Sequence, residues 1–339
     1  MRKKQKYTIA TLGSHSALQI LKGAKDEGFK TLLVTTEDRA DFYSSFVFIN
    51  DVRIIKSFKE FPIFEKKLKT KHIILIPHGS FVAYLGVEGN KKISIPYFGN
   101  KQVLDWEADR SKQREWLKES DINIPHEFRS ADEIHTYPVI VKSYGAAGGK
   151  GYFYARNKQD FLKKMKKFVS RRFVIQEYII GVTMFFHYFY SPLTKKIELM
   201  SIDRRYETNV DSLGRIPLLG QKDLHINPSY VVVGNAPLTI RESLLPKVYM
   251  MGQRIVDTSK NLINKKGLYG PFCLETVITP DQNIYAIEIS CRIVAGTNLF
   301  IEGSPYTWLT YDEPMSTGKR IAREIKMAIT KKKLNILLD

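Results

Sequence analysis

Pro138-Val139-Ile140-Val141-Lys142-Ser143-Tyr144-Gly145-Ala146-Ala147-Gly148-Gly149-Lys150-Gly151-Tyr152-Phe153-Tyr154-Ala155 is the stretch whose reading decides the fold. Two β-rich runs flank a loop, Gly145 to Gly151, with four glycines in seven residues. Such a backbone can approach a polyphosphate closely and turn N–H donors toward it. It is not a Walker loop, because no Gly-Lys-Ser/Thr opens a helix after it. Nor is it a dinucleotide fingerprint, because a strand follows the glycines. Between antiparallel strands it reads as a flap over phosphates, with Lys142 on the incoming strand as a point charge on them. Taken alone, the same loop is equally a plain hairpin turn.

Working downstream, the pattern predicts a basic helix over about 158–169 and a strand over 173–178. More strands are expected over 183–190, 197–204, 270–278 and 284–293, with helices near 241–263 and 317–330. Glu275 and Glu288 fall on two of these neighbouring strands, joined by a turn at Pro280-Asp281-Gln282-Asn283. Each sits among apolar residues, where a carboxylate is costly unless it is paired or binds a cation. Two of them facing one another suit a divalent ion bridging to nucleotide phosphates, Mg²⁺ first and Mn²⁺ as an alternative. Arg292, four residues after Glu288, is placed either to hold a transferred phosphoryl group or to pair structurally with a glutamate.

Working upstream, the first hundred residues alternate strand and helix signals. Tyr7 to Gly13, Thr31 to Thr35 and His72 to Pro77 read as strands, the last an apolar run of the kind buried on both faces of a parallel sheet. Ala17, Ile20, Leu21 and Ala24 recur at helical spacing, and Gly28 ends that helix. This is a small doubly wound α/β domain, whose ligands bind at the carboxyl ends of strands. Gly13-Ser14-His15-Ser16 and Pro77-His78-Gly79-Ser80 stand at such ends. A long polar helix is expected over about 102–119. The expected division is an N-terminal α/β domain over 1–120, a small lobe with the flap over 121–182 and a large lobe with the metal site over 183–339.

The chain has 339 residues, 43% of them hydrophobic and 12% aromatic, enough for two or three domains. Nothing approaches the roughly 18 consecutive apolar residues that cross a membrane, and the basic start is followed by too short an apolar run for a signal peptide. Cys273 and Cys291 are the only cysteines and sit in apolar runs, so buried free thiols and a cytoplasmic location are expected. The net charge of +18 raises nucleic-acid binding. The basic residues are scattered, however, with no RNA-binding or zinc-finger motif beside them, and a solvated basic surface is the preferred reading.

The order Lys142, glycine flap, Glu177-Tyr178, then Glu275 and Glu288-x-x-x-Arg292 resembles the ATP-grasp superfamily. The resemblance implies a two-lobed ATP-grasp module of α+β class behind the N-terminal domain. It also implies ATP held by Lys142, Gly145, Gly148, Gly149 and Lys150 at its phosphates and by Gln176, Glu177, Tyr178 and Ile179 at adenine and ribose. Longer motifs carry a closer likeness: Thr11-Leu12-Gly13-Ser14-His15-Ser16, Arg205-Tyr206-Glu207, Ile226-Asn227-Pro228-Ser229-Tyr230, Gly270-Pro271-Phe272-Cys273-Leu274-Glu275 and Gly318 to Lys326. Together they resemble the archaeal formate-dependent phosphoribosylaminoimidazolecarboxamide ligases of purine biosynthesis. That family likeness implies ribotide contacts at His15, Ser80 and Asn235, an ATP-contacting carboxylate at Glu207, magnesium ligands at Glu275 and Glu288, formate as co-substrate, and a homo-oligomer, hexameric in the family's pattern. One departure is Ala147, where many members carry a basic residue in the flap. The alternatives are another ATP-grasp carboxylate–amine ligase and a non-catalytic nucleotide-binding paralogue.

Overall fold

The computed structural model describes residues 7–68, 72–143, 151–168, 173–213, 215–221 and 231–339. Their strands form three sheets. The first contains β1 (Thr8–Leu12), β2 (Lys30–Thr35), β3 (Asp51–Ile54) and β4 (Ile73–Leu75), in the order β3-β2-β1-β4 and all parallel. Every residue of β4 is buried, as a strand covered on both faces must be. The strand order reverses between β1 and β4, so the crevice for a ligand opens at their carboxyl ends. The helix Ala17–Asp26 buries Ala17, Ile20, Leu21 and Ala24, the expected stripe. Gly28 follows it at φ +90°, a left-handed position that favours glycine.

The second sheet contains β5 (Glu127–Phe128), β6 (Val139–Ser143), β7 (Tyr152–Ala155) and β8 (Phe173–Glu177), in the order β5-β8-β6-β7. β6 and β7 are antiparallel, with Val139 opposite Ala155 and Lys142 opposite Tyr152, so the strands flanking the glycine loop form the expected hairpin. Ser143 closes it by donating its N–H to the Gly151 carbonyl at 2.7 Å. The helix after β7 spans Lys158–Met165 rather than reaching Val169. This sheet keeps its own small core of Phe128, Val139, Val141, Ala155, Phe161 and Ile175.

The third sheet contains β9 (Val182–Ser191), β10 (Lys196–Glu207), β11 (Val232–Pro237), β12 (Gly270–Ile278) and β13 (Ile284–Ser290), antiparallel in the order β11-β10-β9-β12-β13. Its core is continuous with that of the first sheet, running from Ile9 and Ile20 through Trp116 to Phe272 and Ile325. The C-terminal helix Thr317–Thr330, capped by Ser316, packs on Ala17–Asp26. Gly23 and Gly318 let these two backbones touch, since a Cβ on either would strike the other helix.

Three expectations need correction. The polar helix over 102–119 is two helices, Val103–Glu107 and Arg110–Glu119. Asp109 breaks it by accepting the N–H groups of Ser111 and Lys112 at 2.8 and 3.1 Å, a cap that starts a new helix. β13 stops at Ser290, and Ile293 instead bridges to His78 beside the first sheet. The helix expected from Arg241 opens as a 3₁₀ turn, Glu242–Leu244, before Leu245–Leu262. Both cysteines are free and buried, as expected. Among the described residues, no helix is long and apolar enough to cross a membrane.

Candidate functional site

The carboxyl ends of β1 and β4 meet through side chains. His15, at φ +42°, brings its Nδ1 to within 2.5 Å of Ser80 Oγ, which also lies 2.8 Å from Ser14 Oγ. Beneath them His78 is fully buried. Its Nε2 meets the Leu12 carbonyl at 2.8 Å and its Nδ1 receives the Ser80 N–H at 3.2 Å. Those partners define a neutral ring with the proton on Nε2. Burial accordingly pushes His78 down to about 3. His78 therefore ties the two loops together, while His15 is exposed to a ligand. Burial lowers the His15 imidazole, and the Arg292 and Arg205 guanidiniums lower it further, so it too is neutral at pH 7.

Arg292 lies against these loops: its Nη1 is 3.3 Å from where a Cβ on Gly79 would stand. Its Nη2 pairs with Glu107 Oε1 at 2.5 Å, and Glu107 Oε2 accepts the Cys291 N–H at 2.9 Å. Glu107 is buried on the short helix Val103–Glu107, and burial raises its carboxyl although Arg292 opposes the shift. Arg292 thus has the glutamate partner considered from the sequence, while its buried Nε has no hydrogen-bond partner among the described residues.

On the third sheet Glu275 of β12 stands directly opposite Glu288 of β13. Glu288 is exposed and Glu275 keeps 34% of its side chain exposed, so the pair is open to solvent rather than sealed in a core. Desolvation by the surrounding protein, and then the Glu288 charge, push Glu275 up to about 7. Arg205 Nη1 approaches Glu275 to 3.6 Å, its guanidinium stacked over the Phe185 ring at 3.5 Å. Lys142, from the second sheet, is felt here as well. Burial lowers its ammonium and Arg110 adds to this, while Glu275 and Glu288 pull the other way. Lys142 and the carboxylate pair are thus near enough to act on one another electrostatically.

Glu207, at the end of β10, is raised by burial and then by Asp211, whose carboxylate accepts the Glu207 N–H at 2.5 Å. It influences Tyr152 of β7, so it too lies where the second and third sheets approach. Gln176 donates to Glu127 at 2.9 Å, and the Glu177 carboxylate accepts the His126 N–H at 3.4 Å. Tyr178 packs edge-on against Tyr154, and Ile179 follows half-buried. Asn235 of β11 donates its amide to Asp203 at 2.5 Å. Gly145, Gly148, Gly149 and Lys150, with the 226–230 motif, lie outside the described residues.

Sequence reasoning gave no role to Arg205, Glu107, His187 or Asp203: Arg205 meets Glu275 only through the sheet order, Glu107 meets Arg292 across more than a hundred residues, and His187 meets Asp203 only through the register of the β9–β10 hairpin. A separate groove of about 720 Å³, lined by Lys25, Lys30 and Arg53, opens at the amino ends of the parallel strands. That is the wrong end of the sheet for the loops above.

Family models described as a protein of unknown function (DUF1246) and a domain of unknown function (DUF1297) match residues 9–128 and 156–338. A curated relative from Pyrococcus horikoshii is 53% identical over 96% of this chain and 98% of its own length. One from Saccharolobus solfataricus is 48% identical over 98% and 99%. Both are named 5-formaminoimidazole-4-carboxamide-1-(beta)-D-ribofuranosyl 5'-monophosphate synthetase. Among solved structures, an IMP biosynthesis protein PurP from Thermococcus kodakaraensis superposes with a TM-score of 0.79 at 32% identity, over 98% of this chain and 100% of that one. An ADP complex of an N5-carboxyaminoimidazole ribonucleotide synthetase shares the fold at a TM-score of 0.65 and 13% identity, covering 96% of this chain and 78% of that one. The fold is thus the α+β ATP-grasp fold behind a parallel-sheet domain, and the chain belongs to the family of 5-formaminoimidazole-4-carboxamide ribotide synthetases.

Proposed function

We propose that this chain joins formate to the 5-amino group of 5-amino-1-(5-phosphoribosyl)imidazole-4-carboxamide, consuming ATP and releasing the formamido ribotide, ADP and phosphate. It is a C–N bond-forming ligase of its family, working in purine biosynthesis. The observation that carries the reading is the Glu275–Glu288 pair, standing opposite one another on adjacent strands.

Formate is a poor acyl donor because its leaving group would be oxide. A formate oxygen attacks the γ-phosphorus, the bond to ADP breaks, and formyl phosphate forms. The 5-amino nitrogen then attacks the formyl carbon, the C–O bond to phosphate breaks with its electron pair, and the amine loses a proton. The protein's part is positioning, charge neutralisation and exclusion of water from the acyl phosphate. His15, Ser80 and Asn235 hold the ribotide. Lys142, Lys150 and the glycines Gly145, Gly148 and Gly149 hold the ATP phosphates. Gln176, Glu177, Tyr178, Ile179 and Glu207 hold adenosine, and Arg292 steadies the transferred phosphoryl group.

A divalent ion fits Glu275 and Glu288, since two carboxylates this close need a cation and Mg²⁺ is usually held by one or two carboxylates plus substrate phosphates. No group of three or more His, Cys, Asp or Glu side chains suited to a metal occurs among the described residues, so Glu275 and Glu288 would hold the ion together with the substrate phosphates. Mg²⁺, or Mn²⁺ in its place, would supply charge neutralisation on those phosphates.

The division at 1–120, 121–182 and 183–339 belongs to this reading. Three separate sheets support it, although the C-terminal helix packs back onto the first region. A cytoplasmic homo-oligomer is part of it too. The test is to incubate protein, Mg-ATP, formate and ribotide and to look for the formamido product by mass. Product that requires formate is the expected result. ADP release driven by another acid favours a different carboxylate–amine ligase, and ribotide binding without product favours a non-catalytic paralogue.

A further inference from the structure

One face of the third sheet carries more than the residues given roles above. Besides Glu275, Glu288 and Arg205, it carries a diagonal row across four strands: Asn235 on β11, Asp203 on β10, His187 on β9 and Cys273 on β12. His187 Nε2 lies 2.5 Å from Asp203 Oδ1, and Asn235 Nδ2 lies 2.5 Å from Asp203 Oδ2. His187 is 2% exposed and Asp203 not at all. We propose that His187 and Asp203 are a buried positioning pair that fixes the amide of Asn235, so that its carbonyl oxygen is turned to meet an N–H or O–H donor of the ribotide. This rests on the reading of Asn235 as a ribotide contact.

An ionised carboxylate can only accept, so an asparagine bonded to it must turn its NH₂ group inward and its C=O outward. Both Asp203 oxygens are engaged, Oδ1 at His187 Nε2 and Oδ2 at the Asn235 amide. Burial opposes charge on the His187 ring, but the Cys273 sulfur and the Asp203 carboxylate beside it outweigh that and push the imidazole up to about 9. A buried ion pair of this kind adds little net stability over well-packed apolar residues, because desolvation offsets the attraction. Its value lies in fixing geometry.

The surroundings seal the pair and join it to the rest of the site. Gly296 lies over Asp203 so closely that a Cβ there would strike the carboxylate. The segment carrying it, Ala295–Phe300, is tied to the first sheet's loop. Gln19 donates to the Thr297 carbonyl, and Asn298 Nδ2 donates to the His15 carbonyl at 3.0 Å. Asn235 and His15 are therefore set relative to one another by one backbone segment that covers Asp203.

A double-mutant cycle on the full-length enzyme tests this, with kcat and the KM for ribotide, ATP and formate measured in each variant. Asp203→Asn should raise the ribotide KM about 10-fold, the worth of one charge-assisted hydrogen bond, and leave the ATP KM within about two-fold. In the Asn235→Ala background the same substitution should add nothing, because its effect runs through Asn235. His187→Leu should behave like Asp203→Asn, and His187→Gln, which restores a donor to Asp203, should recover most of the loss. Effects of Asp203→Asn and Asn235→Ala that simply add, or equal rises in ribotide and ATP KM, overturn the positioning pair and leave Asn235 as a ribotide contact. An Asn235→Ala enzyme with unchanged ribotide KM strikes the assignment of Asn235 itself.

Discussion

The third sheet holds two clusters of carboxylates, and they are built on opposite terms. At one, Arg320 is 3% exposed between Glu198 and Glu324. Its guanidinium donates to Glu198 at 2.8 and 2.9 Å and to Glu324 at 2.8 Å, while Tyr311 and Ser191 supply hydroxyl donors to the same two glutamates. Each of the four carboxylate oxygens has a donor, and the guanidinium also stacks over Phe189 at 4.2 Å. At the other, Glu275 and Glu288 face one another with Arg205 at 3.6 Å, beyond hydrogen-bond reach. In the first cluster the protein meets every carboxylate oxygen with a donor; the second sets two facing carboxylates beside one arginine at 3.6 Å. Buried charge alone therefore does not mark the site. The proposed site is marked instead by two facing carboxylates that a bound cation would bridge.

The comparison breaks most visibly at Arg320. Arg320→Leu leaves Glu324, fully buried, without its cation, and should cost about 3–5 kcal/mol of stability. Chemical denaturation checks this, and turnover per folded molecule should stay near wild type because Arg320 touches no proposed substrate. Glu288→Gln should do the reverse. It removes one charged ligand at almost constant size, so turnover should fall at least about 10²-fold while the denaturation midpoint barely moves. Steady-state rates under saturating Mg-ATP, formate and ribotide decide it, and wild-type turnover would sink the metal assignment. A smaller effect is expected at the ribotide loops. His15→Ala should raise the ribotide KM about 10-fold, through one lost hydrogen bond in a desolvated site, with little change for ATP. Equal rises for both substrates would make His15 a residue of the fold rather than of the substrate.

How much of this was legible in the sequence follows from range. β12 was read to the residue, and Thr317–Thr330 likewise, because an apolar run and an amphipathic stripe are local signals. Glu275 and Glu288 were legible as a pair because a short turn joins their strands. The break at Asp109 was missed although aspartate is a good helix cap, since the polar run on both sides hides the start of a second helix. Glu107 and Arg292 were not legible as partners across nearly the whole ligase module. His187 and Asp203 sit on the consecutive strands β9 and β10, and only the hairpin's register, with a shift between Leu199 and Ser201, brings their side chains together.

The smallest effect is also the one that separates the clusters by sign. In metal-free protein the Glu275 charge is unwelcome, being raised to about 7 by desolvation and by Glu288, against 4.5 as the ordinary value. A carboxyl raised on folding favours the folded state when protonated. Its penalty is therefore absent below the ordinary carboxylate range, grows as pH rises, and is complete above about pH 7. Glu275→Gln removes that penalty, so the metal-free variant at pH 8 should melt slightly higher than wild type, by about 1–2 °C for a chain of this size. At pH 4 the two should coincide. Adding Mg-ADP should then stabilise wild type and leave the variant nearly unmoved, since ligand that binds only the native state stabilises in proportion to its affinity. A metal-free Glu275→Gln protein that melts well below wild type would mean that Glu275 is a structural carboxylate like Glu324. The contrast between the two clusters would then fail.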